Sequence, residues 1–243
     1  MLKKIKASSE FPEPFLVAAT HIRQKDYGYS ITELQRPLQM LYLQKYNDYE
    51  IEVDDIVKAL VGTAFHHFME NQTVLDPDDY IIEERYYKEI NGVMISGQMD
   101  MYHKSKQTLW DYKTSGMYKI NQMLHGDIKV KAKDWMMQTN CYRYLSGLPC
   151  SYIKVLAVMT DFKKHNNYRI NNNPVVFNIP LVKLDQIEKW LFNRVGRIKK
   201  MFETNQYPEC TIEETWDGIR CKDWCDVRQF CEQNKKNSKG LFA

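Results

Sequence analysis

Residues 80–115 read YIIEERYYKEI-NG-VMISGQMDMYHKSKQTLWDYKTS, and the way this stretch pairs with itself decides the fold. Asn91-Gly92 joins two runs rich in β-branched and aromatic residues, the strongest short hairpin signal a sequence offers. A two-residue turn there makes residues equidistant from it face each other, which sets Glu83 opposite Asp100. A second two-residue turn at Ser105-Lys106 would set Asp100 opposite Asp111, with Lys113 on the same sheet face two residues further on. The alternative is a bulged first strand that turns Glu84 inward in place of Glu83. The expected result is a three-strand meander with a row of three carboxylates across it and an ammonium beside them.

Like charges placed directly opposite destabilise a sheet, so such a row needs compensation. A divalent cation supplies it, and hard oxygen ligands converging on one point suit Mg²⁺ or Mn²⁺. A protonated lysine cannot ligate the ion. It can hold an attacking water or neutralise charge developing on a phosphoryl group.

The flanking sequence predicts helices around this meander. SITELQRPLQMLYLQKY (30–46) and VDDIVKALVGTAFHHFMEN (53–71) carry apolar residues at helical spacing, so two helices precede the first strands. Residues 134–147 read as a helix stopped by Gly147 and Pro149, YIKVLAVMT and VVFNI as further strands, and 183–204 as a long amphipathic helix. The fold class is therefore α/β (α+β), a central mixed sheet flanked by helices. One compact domain of 243 residues is expected, with a helical part (1–75), a sheet core (76–180), the long helix (181–205) and a cysteine-rich tail (206–243) that includes the polar, linker-like EQNKKNSKG.

With 44% apolar and 13% aromatic residues, the chain can bury one sizeable core. No run of 18 apolar residues occurs, and no apolar segment follows the charged opening, so the expectation is a cytoplasmic protein with no membrane partner. The net charge of +3 is small but uneven: between His103 and Trp135 seven lysines stand against three acids, and RVGRIKK at 194–200 adds four cations. Four of the six cysteines, Cys210, Cys221, Cys225 and Cys231, fall in the last 34 residues. Without a secretory signal, a metal or cluster site, or plain buried thiols, are the readings.

Five short patterns in order then resemble the PD-(D/E)XK nucleases, in particular their RecB-like exonuclease branch of phage and CRISPR-adaptation enzymes. They are GTAFH (Gly62, His66), Glu83 in IIEE, GQMD (Gly97, Asp100), DYK (Asp111, Lys113) and QTNCY (Gln138, Tyr142). Asp111 stands where many relatives carry Glu. The resemblance implies a Mg²⁺- or Mn²⁺-dependent DNA exonuclease of a bacterial or phage-infected cell, acting in recombination, repair or phage DNA processing. Its site would be Asp100 and Asp111 on the metal with the Tyr112 carbonyl and His66, Glu83 in the acidic cluster, and Lys113 orienting the water. Gln138 and Tyr142 would face DNA, with Lys129, Lys131 and Lys133 on backbone phosphates and recombination or replication proteins as partners. The resemblance also implies an iron-sulfur cluster on the tail cysteines, with Cys210 replacing a cysteine that relatives carry before the GTAFH helix; zinc is the competing ligand. The alternative function is a nucleic-acid-binding recombination or packaging factor on the same fold, with weak cleavage.

Overall fold

The structure, a computed structural model, describes residues 3–6, 11–20, 28–73 and 76–233; the tail from 234 lies outside the described residues. In chain order the elements are β1 (Lys3–Lys6), α1 (Glu13–Thr20), β2 (Tyr29–Ser30), α2 (Ile31–Leu34), α3 (Leu38–Tyr46), β3 (Tyr49–Glu52), α4 (Val53–Glu70), β4 (Tyr80–Ile90), β5 (Val93–His103) and β6 (Thr108–Ser115). They continue with α5 (Met117–His125), α6 (Ile128–Lys131), α7 (Lys133–Ser146), β7 (Tyr152–Met159), β8 (Val175–Ile179), α8 (Leu184–Thr204), α9 (Ile212–Thr215) and α10 (Ile219–Asp223).

The segment 30–46 is not one helix. Ser30 and Glu33 form a reciprocal capping box at the start of α2, and the next helix begins only after Pro37, which cannot continue an α-helical ladder. Three short strands, β1, β2 and β3, also precede the hairpin where only helices were expected, because strands of two to four residues carry too little alternation to be read. The end of α7 follows expectation: Gly147 takes the left-handed C-terminal position at φ 65°.

The chain divides into two compact units, residues 1–26, 36–60 and 194–243, and residues 27–35 and 61–193. The second holds a six-stranded mixed sheet in the order β2-β5-β6-β7-β8, with β4 also paired to β5. The β4–β5, β5–β6 and β7–β8 pairs are antiparallel and β2–β5 and β6–β7 parallel, the last joined through α5, α6 and α7. Ile95, Met99, Leu109, Ile153 and Val155 from the strands, and Ile120, Ile187 and Leu191 from helices, are buried in this unit. Each such side chain contributes about 1.5–3 kcal/mol through loss of apolar surface to water.

In the first unit β1 and β3 form a parallel pair, and Met40, Leu43 and Val227 make a small core against which Tyr42, Tyr207, Cys225 and Cys231 pack. Among the described residues no helix is long and apolar enough to cross a membrane.

Candidate metal centre

The β4–β5 register is the one that Asn91-Gly92 dictates, from Ile90 opposite Val93 to Tyr80 opposite His103, with φ at 51° and 74° at the two turn residues. Glu83 alone drops out of that ladder. Its φ of 51° lies in the left-handed region, so the expected Glu83–Asp100 strand pair does not form. The carboxylate nevertheless turns inward, and Glu84 is the exposed one.

The next turn spans residues 104–107 instead of the two expected, yet the register is unchanged: Met101 opposes Trp110, Tyr102 opposes Leu109 and His103 opposes Thr108. Pairing stops there, one step short of Asp100 and Asp111, so these two acids are not cross-strand partners. The sheet forks at this point. β6 continues beside β7, while β2 takes the same edge of β5 at Ile95 and Ser96. Inside the fork the Asp100 side chain stands in for a strand carbonyl: its Oδ2 accepts from the Tyr112 N–H at 2.5 Å.

The second half of α4 approaches β6 closely, since a Cβ on Gly62 would lie 3.2 Å from Thr114 Oγ1. One helical turn on, His66 Nδ1 lies 3.2 Å from Asp100 Oδ1 and 3.8 Å from Glu83 Oε1. Ligand atoms of His66, Glu83 and Asp100 all fall within 4.8 Å of one another, a group able to hold a metal ion. The neighbouring His67 points to solvent and pairs with Glu70.

Asp111, 1% exposed, is held by Lys113, whose Nζ donates to Oδ1 at 2.9 Å and lies 2.7 Å from Oδ2. Glu83 Oε1 is buried and accepts no hydrogen bond, whereas Asp111 Oδ2 is neutralised by the Lys113 ammonium, and Asp111 is not one of the three residues whose ligand atoms come together. A buried acceptor left without a donor is costly, and a cation is the group that satisfies Glu83 Oε1 beside the His66 nitrogen and the Asp100 carboxylate. The donor set, one nitrogen and several carboxylate oxygens, fits a hard or borderline divalent ion.

The electrostatics follow from this crowding. The Asp100 and Glu83 carboxylates beside it raise the His66 pKa to about 10 against the opposing effect of burial. Burial pushes Asp111 up to about 6, with Lys113 pulling down and Asp100 pushing further up. Burial works against the Lys113 ammonium, but Asp111 and Asp100 more than offset it and its pKa is raised.

Gln138 donates to the Tyr142 hydroxyl at 2.5 Å, and the Tyr142 ring lies over Gly97, where a Cβ would meet Cδ1 at 2.7 Å. Burial pushes the Tyr142 phenol up to about 12. Lys129 and Lys131 on α6 and Lys133 at the start of α7 are exposed and lie outside the carboxylate cluster. Sequence reasoning missed Gln98, whose side chain bonds Glu83; its place two residues before Asp100, on the same strand face, is the signal that could have found it.

The tail cysteines Cys210, Cys221, Cys225 and Cys231 line one cavity of the first unit together with Gln39, Met40 and Leu43. Burial pushes the Cys210 thiol up to about 12, with Glu214 and the other three tail cysteines adding to the effect. No three of these sulfurs come within 4.8 Å of one another among the described residues.

No protein-family model and no curated protein sequence matches the chain. Solved structures do. The protein SSO0001 superposes with a TM-score of 0.53 at 16% identity, covering 90% of this chain and 92% of that one, and the two share a fold. A phage-related exonuclease from Haemophilus somnus 129PT gives a TM-score of 0.47 at 14% identity over 69% of this chain and 81% of that chain.

Proposed function

We propose that this chain is a divalent-metal-dependent nuclease that hydrolyses phosphodiester bonds in DNA, acting as an exonuclease. The observation that carries the reading is the convergence of ligand atoms of His66, Glu83 and Asp100 within 4.8 Å of one another, with Glu83 Oε1 buried and without a hydrogen bond and the Asp111–Lys113 ion pair on the neighbouring strand. The cation, when bound, supplies Lewis-acid polarisation of a phosphodiester oxygen and a more acidic water. His66, Glu83, Asp100 and Asp111 would hold it, with the Tyr112 carbonyl as a further oxygen. Lys113 orients the attacking water and offsets negative charge building on the phosphorus centre. Gln138 and Tyr142 face the DNA, and Lys129, Lys131 and Lys133 supply phosphate contacts that carry no sequence information. DNA and the exonuclease activity rest on the ordered motifs from Gly62 to Tyr142. The test is degradation of end-labelled DNA with Mg²⁺ or Mn²⁺. Chelator-sensitive release of nucleotides from one end is expected, whereas binding without degradation would point to the recombination or packaging factor.

The tail supports a second part of the proposal, an iron-sulfur cluster on Cys210, Cys221, Cys225 and Cys231. Four thiols already line one cavity, and thiolates are the usual ligands of such clusters, with zinc on the same sulfurs as the alternative. The cavity is small, about 20 Å³, so α9 and α10 must spread to admit the cluster. Anaerobically purified protein should be brown and contain iron, and Cys225→Ser should lose both colour and thermal stability. Colourless, iron-free protein would leave the thiols as packing.

A further inference from the structure

Glu83 is held by a device that the proposed chemistry does not by itself require. Gln98 Nε2 donates to Glu83 Oε2 at 2.6 Å and to the Glu83 carbonyl at 3.2 Å, bracing both the side chain and the backbone at the left-handed kink. On its other side Gln98 Oε1 accepts from Arg85 Nη2 at 2.5 Å, and Arg85 Nη1 reaches Ser96 Oγ at 3.4 Å. Arg85 and Gln98 are direct cross-strand partners. A guanidinium can only donate, so Arg85 fixes the amide with its oxygen outward and its NH₂ toward Glu83. Gln98 thereby occupies Oε2, and only Oε1 faces His66, without a hydrogen bond of its own.

We infer that Gln98, oriented by Arg85, is a positioning residue that restricts Glu83 to a single ligating oxygen and so sets which cation the site prefers. The inference rests on the proposed metal centre. Small ions such as Mg²⁺ and Mn²⁺ demand near-octahedral geometry from single oxygens, while Ca²⁺ readily takes both oxygens of one carboxylate in larger, more flexible shells. Occupying Oε2 therefore selects against Ca²⁺. Outer partners of this kind typically change metal affinity by about 10–100-fold when lost.

The experiment is calorimetric titration of the full chain with Mn²⁺ alone and Ca²⁺ alone, with unfolding of the metal-free protein followed alongside. Gln98→Met keeps the volume and removes the hydrogen bonds. Gln98→Leu likewise removes the donor to Glu83 without placing a second carboxylate against it. Both should weaken Mn²⁺ about tenfold and narrow the ratio of Ca²⁺ to Mn²⁺ dissociation constants by at least that factor, with metal-free unfolding close to wild type. Arg85→Met should move the ratio in the same direction by less. An unchanged ratio in both Gln98 variants, while His66→Ala abolishes Mn²⁺ binding, overturns the inference and leaves the metal centre standing. Wild-type protein that binds no Mn²⁺ overturns both. If neither Gln98 variant folds, the residue is structural and the inference fails.

Discussion

The Lys113 ammonium straddles the carboxylate of Asp111, 2.9 Å from Oδ1 and 2.7 Å from Oδ2, in a pair whose acid is 1% exposed. Breaking a buried pair from one side strands a charge, which costs about 3–5 kcal/mol. Lys113→Met strands the buried Asp111 carboxylate and should destabilise the metal-free protein by about 3 kcal/mol at neutral pH, whereas Asp111→Asn, neutral like the protonated acid that burial favours, should cost less. The double variant should lose less than the sum by at least about 1 kcal/mol. Urea unfolding of the four proteins measures this; additive losses would mean that the pair is not coupled. Lys113→Ala should in addition lower turnover by about 10²–10³ while DNA binding persists.

Without metal, stability should fall as pH rises. The folded-state pKa of Asp111 is about 6 against 3.8 for the free acid, and that of His66 about 10 against 6.5. Both groups bind their proton more tightly folded than unfolded, so each stabilises below its unfolded pKa and loses that contribution as pH passes its folded one. Asp111 acts between about pH 4 and 6 and His66 between about 6.5 and 10. Thermal unfolding across this range, with and without His66→Ala, checks the second window: the variant should be flatter there. Because a metal needs the imidazole nitrogen free of its proton, Mn²⁺ should bind with proton release and more tightly at higher pH.

The hairpin was legible because register follows from Asn91-Gly92 alone, and the β5–β6 register survived a wrong turn length because lengthening the loop symmetrically leaves the pairing intact. What pairing arithmetic could not show is where a ladder stops. Glu83 leaves it through a backbone conformation rare for glutamate, and Asp100 meets the Tyr112 N–H across a fork created by β7 drawing β6 away, a contact between segments far apart in sequence. The Asp111–Lys113 pair was placed on the right face, but its closeness and burial come from tertiary packing. Gln98 was invisible since an amide inside a strand has no spacing rule of its own.

Gly97→Ala should push α7 off the sheet. Its Cβ would meet Tyr142 Cδ1 at 2.7 Å and Leu145 Cδ1 at 3.0 Å, so a loss of about 1–3 kcal/mol from overpacking is expected. The loss should shrink in a Tyr142→Ala background, measured by urea unfolding. An equal loss in both backgrounds would rule out the ring contact as its cause.

Replacing Lys129, Lys131 and Lys133 together by Ala should weaken DNA binding at low salt and flatten the plot of log affinity against log salt by about 0.7–0.9 per phosphate contact removed. Fluorescence anisotropy with labelled DNA at several salt concentrations gives the slope. An unchanged slope would take these lysines off the DNA.

Three of the four groups proposed to hold the cation carry part of the scaffold as well. Asp100 closes the sheet fork through the Tyr112 amide, Asp111 neutralises Lys113, and Glu83 anchors the kink braced by Gln98. His66 reaches in from a helix to the Asp100 and Glu83 carboxylates, with the Tyr112 ring beside it. A silent but intact form of the protein, of the kind used to trap a bound ligand for crystallography, is therefore best made at the histidine, because an aspartate variant would also loosen the sheet itself.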